Sequence, residues 1–173
     1  MSLFPYFGDL FQASYVAKDR DRAVELAQSQ MGVDNFVLFD SQAPVLSGGK
    51  VQTLSLRVAV ANIGRHQFEI IQPVSGPTHI YTDGMDMDGR VMSFHHLALA
   101  VTGSYSRWEE ALRQLRASGN EIAFLSPAEP VDKPMACFAY VDTRKTLGHY
   151  TEYLWWAPEL NGNPAFPNFG EEA

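Results

Sequence analysis

Four side chains able to hold a divalent cation recur at matched intervals in this chain. Gln12 and Glu69 are 57 residues apart, and His96 and Glu152 are 56 apart. Together they offer an amide oxygen, an imidazole nitrogen and two carboxylates. That mixed set suits Zn²⁺, Ni²⁺, Co²⁺, Fe²⁺ or Mn²⁺ better than a thiolate-seeking ion, and it leaves positions for water or substrate oxygens. A cation held there would meet the negative charge that develops when a proton leaves a carbon beside a carbonyl. A carboxylate would then move the proton. Glu152 is the first candidate for that role and Glu69 its symmetric counterpart.

Such a site needs strands that bring distant residues to one place. Residues 94–101, Phe-His-His-Leu-Ala-Leu-Ala-Val, read as one of them. Successive strand side chains point to opposite faces. His96, Ala98 and Ala100 therefore share a face whose small residues leave space. His95, Leu97, Leu99 and Val101 share the other, which wants a helix on it. On this reading His95 and His96 cannot serve the same site.

The rest of the chain divides around that strand. Residues 11–17 alternate as a strand, Asp19 caps a helix to about Met31, and Gly32 stops it. Ala23, Leu26, Ala27 and Gln30 form its expected core stripe. Strands over about 35–40, 51–61 and 67–74 follow, with Glu69 facing away from Phe68 and Ile70. After the strand at His96 comes a helix over about 104–118. Trp108, Ala111, Leu112 and Leu115 mark its buried face at i, i+3, i+4 and i+7. Three further strands span 121–125, 135–143 and 149–156. Both halves thus read strand, helix, three strands: a first βαβββ module at 10–75, a plain flexible crossover at 76–93, a second module at 94–156, and an irregular tail at 157–173 draped over the body. The duplication places Gln12 opposite His96 and Glu69 opposite Glu152 in equivalent positions.

Other motifs carry less. Ser47-Gly48-Gly49-Lys50 lacks the remaining glycine and the Ser/Thr of a phosphate loop, so it reads as a hairpin turn. Asp86-Met87-Asp88-Gly89 has Gly84 and His95 where a calcium loop needs acids. Arg57 could receive a substrate carboxylate, although a solvated edge is the simpler account. Tyr150, Leu154 and Trp156 share the face of Glu152 and either line a pocket or pack a core. His149 faces away from Glu152, His66 and His79 read as surface residues, and Cys137 as a small core residue.

Composition bounds the partners. The 173 residues are 46% apolar and 19% charged, with a net charge of −7 and no basic stripe, which argues against nucleic acid. A single cysteine suits a reducing compartment. The first five residues lack the pattern of a secretory leader, and no apolar run reaches the roughly 20 residues of a membrane span. The expected setting is the cytoplasm, without a membrane partner.

The segments Phe11-Gln12-Ala13-Ser14-Tyr15-Val16-Ala17-Lys18-Asp19, Phe68-Glu69-Ile70-Ile71-Gln72-Pro73, His95-His96-Leu97-Ala98-Leu99-Ala100-Val101 and Leu147-Gly148-His149-Tyr150-Thr151-Glu152-Tyr153 resemble those of the glyoxalase / bleomycin resistance / dioxygenase (vicinal oxygen chelate) superfamily. The resemblance covers roughly residues 10–156. It implies an α+β fold of two βαβββ modules forming a cupped, open, eight-stranded barrel-like sheet around one metal held by Gln12, Glu69, His96 and Glu152. The Gln, Glu, His, Glu set is similar to that of zinc-type glyoxalase I, and Glu-Ile-Ile-Gln-Pro to methylmalonyl-CoA epimerase. The implied function is a metal-dependent lyase or isomerase acting on a small oxygenated substrate. Gln12 stands where ring-cleaving Fe²⁺ dioxygenases of the superfamily have a second histidine, which demotes that alternative. A metal-free binding or resistance protein is the other. The resemblance also implies a homodimer, with Tyr153, Trp155 and Trp156 as an aromatic-rich contact.

Overall fold

The computed structural model describes residues 10–83 and 89–166. The leader expectation at residues 1–5, the calcium-loop comparison at 84–88 and the tail from 167 lie outside them. The elements run β1 (Leu10–Ala17), α1 (Arg20–Leu26), a π-turn (Ala27–Met31), β2 (Val37–Ser47), β3 (Lys50–Ile63), β4 (His66–Ser75), α2 (His79–Thr82), β5 (Met92–Ala100), α3 (Tyr105–Ala117), β6 (Ile122–Ser126), β7 (Ala136–Val141), α4 (Arg144–Leu147), β8 (Tyr150–Trp156) and a 3₁₀ turn (Pro158–Leu160).

The eight strands form one barrel-like sheet in the order β1-β4-β3-β2-β6-β7-β8-β5. This is the α+β, eight-stranded arrangement that the family resemblance implies. The ring closes through a single β2–β6 pair, Leu46 with Leu125. Within each half the first and last strands run parallel, β1 beside β4 and β5 beside β8. β1 and β5 join the halves antiparallel.

The helices lie where the apolar stripes send them. Asp19 accepts hydrogen bonds from the Asp21 and Arg22 amides at 3.1 Å each, which starts α1 as an N-cap should. Ala23, Val24 and Ala27 then bury against Ala59, Ala61, Phe68 and Ile70. Leu26 is only half-buried and Gln30 is exposed, because the helix widens into the π-turn and the stripe drifts out of phase. Gly32 stops it at φ +67°. On the other half, α3 buries Trp108, Ala111 and Leu115 against Ala139, Val141 and Trp155.

β2 and the crossover also differ from their sequence expectation. β2 runs seven residues past Asp40 despite Pro44. Its outer edge is paired only at Leu46, so a residue without an N–H is tolerated there. The Gly48–Gly49 turn then joins it to β3, with both glycines at positive φ, as a tight hairpin requires. The crossover is not plain chain either: α2 inserts Ile80 and Tyr81 among Val16, Ile71, Phe124, Tyr140 and Tyr150 inside the barrel. No helix among the described residues is long and apolar enough to cross a membrane.

Candidate functional site

The strand register reproduces the sequence repeat. Across β1 and β4, Gln12 faces Gln67 and Ser14 faces Glu69. Across β5 and β8, His96 faces Tyr150 and Ala98 faces Glu152. Across the joint, Ser14 faces His96 and Gln12 faces Ala98. Rotating one half onto the other therefore brings Gln12 onto His96 and Glu69 onto Glu152.

Three of the four expected residues meet directly. His96 Nε2 lies 3.1 Å from Glu152 Oε2 and 3.6 Å from Glu69 Oε2. His96 is fully buried, and the side chains of Glu152 and Glu69 are 8% and 13% exposed. Gln12 lies two register positions along β1 from Ser14, the residue that faces both His96 and Glu69, and is 5% exposed. The buried atoms Gln12 Oε1, Ser14 Oγ and His96 Nε2 have no partner in hydrogen-bond geometry. Buried polar atoms are rarely left so, and two of these three are the atoms a cation would take. Among the described residues no three His, Cys, Asp or Glu side chains are spaced to hold a metal ion by themselves. By their chemistry, two carboxylates, an imidazole nitrogen and the Gln12 amide oxygen are donors of the kind a divalent cation takes.

Comparison with known proteins bears on the fold. No protein-family model matches the sequence, and no curated protein does. Among solved structures, methylmalonyl-CoA epimerase of Streptomyces coelicolor, in complex with 2-nitronate-propionyl-CoA, is similar with a TM-score of 0.56 at 14% identity, over 88% of this chain and 96% of that one. The epimerase of Mycobacterium tuberculosis has a TM-score of 0.55 at 16% identity, over 92% and 95%. A hypothetical protein of Bacillus halodurans has a TM-score of 0.53 at 18% identity, over 86% and 94%. This is the glyoxalase, or vicinal oxygen chelate, fold. At these identities the likeness is one of architecture.

Within the glyoxalase-type barrel, the expectation about His95 is overturned. The β1–β5 pairing slips between Ser14 and Tyr15, so that Ser14 faces His96 but Tyr15 faces Phe94. His95 is the extra residue of a β-bulge, which re-aims its side chain. Its ring turns inward, stacks on Tyr81 at 5.0 Å, and places Nδ1 2.9 Å from His96 Nδ1. His95 Nε2 lies 2.8 Å from the Ile80 carbonyl of α2. Nothing in the alternation of residues 94–101 signals this slip.

Gln67 was also not singled out by the sequence. It accepts from Gln12 Nε2 at 2.6 Å and donates toward the Pro164 and Ala165 carbonyls at 3.2 and 3.4 Å. The tail thereby reaches Gln67, the hydrogen-bond partner of Gln12, and Phe166 adds a ring contact with Trp156. Tyr140, cross-strand from Glu152, sets its ring edge-on to His96 at 4.9 Å. The repeat could have pointed to Gln67, whose register equivalent is Tyr150.

Burial dominates the electrostatics. Desolvation raises Glu69 to about 7, against the pull of His96 and with a push from Glu152. It raises Glu152 to about 8, although a hydrogen bond from Tyr140 acts the other way. Desolvation lowers His96 to about 4, opposed by Glu69. Both acids therefore titrate near neutrality, where proton transfer is efficient.

Other candidates find ordinary places. Arg57 bonds Asp21 at 3.0 Å and Gln72 at 3.3 Å, and pairs more loosely with Asp40 at 3.9 Å. It belongs to a charged cluster with Arg20, not to the interior. His149 packs on Phe94, away from Glu152. Tyr150, Leu154 and Trp156 are buried. Trp155 lies under α3 and Trp156 against Phe11, so neither is free for the aromatic subunit contact expected from the sequence. Cys137 is fully buried, and desolvation pushes its thiol up to about 12.

Proposed function

We propose that this protein is a metal-dependent isomerase or lyase that removes and returns a proton beside a carbonyl of a small oxygenated substrate. The observation that carries the proposal is the pair of buried, unpartnered atoms Gln12 Oε1 and His96 Nε2, set in the barrel wall with Glu69 and Glu152 around the imidazole. Gln12, Glu69, His96 and Glu152 would hold the ion. When bound, a divalent cation supplies a fixed positive charge for two neighbouring substrate oxygens.

The protein's own groups do the remainder. Glu69 and Glu152 are the proton carriers, and Glu69 is the more exposed of the two. Tyr140 sits cross-strand from Glu152 and favours its ionised form against the burial that opposes it. Tyr81, Phe124 and Tyr150 keep the wall apolar and exclude water.

The Streptomyces coelicolor epimerase above was solved in complex with 2-nitronate-propionyl-CoA. In this chain Arg20 and Arg57 are engaged by Asp21 and Asp40, and Arg144 by Asp142. With these three arginines engaged and a net charge of −7, a nucleotide-bearing thioester is the less favoured of the small oxygenated substrates. A homodimer and a cytoplasmic location complete the reading. The single buried thiol, Cys137, supports that location because it suits a reducing compartment.

The test is metal content after purification without chelators. Wild type should carry close to one ion per chain, and Glu69→Ala and His96→Ala much less. Equal metal in all three would overturn the proposal. A metal-free binding protein is the second reading, favoured by the contact of both acids with His96 Nε2. Tight ligand binding untouched by EDTA, without turnover, would select it.

A further inference from the structure

The two histidines and the Ile80 carbonyl form a chain in which each hydrogen has one permitted place. A carbonyl oxygen only accepts. His95 Nε2, 2.8 Å from Ile80 O, must therefore carry a hydrogen. The His95 and His96 Nδ1 atoms are 2.9 Å apart, a distance that needs one hydrogen between them. If His95 is neutral, its Nδ1 is an acceptor, and the shared hydrogen sits on His96 Nδ1. The competing arrangement makes His95 an imidazolium. It would strand a cation at 5% exposure between the rings of Tyr81, Tyr140 and Tyr150, an expensive place for an isolated charge.

We infer that His95 is a positioning residue that fixes the His96 ring with Nδ1 protonated and the Nε2 lone pair turned to Glu69 and Glu152. The hydrogen stays on Nδ1 whether His96 is neutral or charged. A ring nitrogen's role is set by the bond its partner nitrogen makes, and here that bond is anchored on α2, through the residue beside Tyr81. The crossover thus does more than connect the halves. It settles which nitrogen of a buried histidine is open to the interior. The consequence for a cation rests on the function proposed above; the hydrogen positions do not.

The test is a long-range ¹H–¹⁵N correlation spectrum of the histidine rings of the full chain in EDTA, assigned with His95→Phe and His95→Gln. The expected result is His96 in the Nδ1–H form and His95 in the Nε2–H form. His96 in the Nε2–H form, or averaging between the two, would overturn the inference. His95→Phe cannot accept from Nδ1, so it should scramble the His96 tautomer and weaken Zn²⁺ binding about 10–100-fold. His95→Gln, which can both accept and donate, should restore most of the tautomer preference. An unchanged His96 spectrum in His95→Phe would also overturn the inference. Absence of Zn²⁺ binding in the wild type, with the tautomers as expected, would remove the proposed function and leave this inference standing.

Discussion

Glu152 Oε2 stands 3.1 Å from His96 Nε2, yet burial keeps the acid protonated to about pH 8 and the imidazole neutral down to about pH 4. Two groups that would form an ion pair in water are held uncharged across most of the physiological range. Their contact is one of proximity within an apolar wall, and a cation entering there would reverse both preferences.

The first prediction concerns pH. Glu69 and Glu152 have folded pKa values raised to about 7 and about 8 from 4.5. The folded chain therefore holds protons that the unfolded chain has released, and their contribution to stability is lost as pH rises through those values. His96 is lowered to about 4 and His95 to about 3 from 6.5, so stability rises with pH across that lower window. The two trends oppose each other below about pH 6.5. Above it only the acids act, and the stability of the metal-stripped protein should fall by up to ~1.4 kcal/mol per pH unit for each proton released. Glu152→Gln should flatten the fall. Chemical denaturation at pH 6.5, 7.25 and 8 measures it, and a flat wild-type profile would count against the assignment.

Metal should have the opposite effect. A cation that binds only the folded chain stabilises it by about 2.7 kcal/mol at 100 times its dissociation constant. Thermal unfolding of EDTA-treated protein should shift upward on adding Zn²⁺ or Co²⁺, more at pH 8 than at pH 6.5 because the acids must lose their protons to bind. Gln12→Leu should reduce the shift, since it removes an orphaned acceptor without touching either carboxylate. A full shift in that variant would remove Gln12 from the site.

Trp108 tests the packing that supports the second half. Its side chain is 2% exposed, in the cluster formed with Leu125, Ala139, Val141 and Trp155. Trp108→Ala should cost about 3–5 kcal/mol through lost burial and the cavity left behind. Urea unfolding would show it as a lower midpoint with an unchanged slope.

Gly76 tests the turn that launches the crossover. Its φ is +92°, and an added Cβ would fall on the Thr53 carbonyl oxygen. Backbone, not a flexible side chain, blocks the position, so Gly76→Ala should destabilise the fold by more than 1 kcal/mol. Gly119→Ala, where the space is open and only the φ of +78° resists, should cost less. Equal losses would mean that the close approach to β3 is unimportant.

What the sequence determined by itself was the repeat and the residues it carries. Alternation on residues 11–17, 67–74 and 94–101, and the stripe Trp108, Ala111, Leu115, are local signals of period 2 and 3.6, and strands and a helix form there. Equal spacing of Gln12 with Glu69 and of His96 with Glu152 then predicted equivalent register positions, which the strand pairing reproduces. Tertiary structure alone decided the side of His95, because a β-bulge shifts the strand's phase by one residue and depends on the neighbouring strand, β1. It likewise decided that Tyr81 fills the barrel, that the tail carbonyls reach Gln67, and that Arg57 serves a surface cluster. Each of these is a contact between segments far apart in the chain, set by where the closed sheet puts them and not by any local pattern of residues.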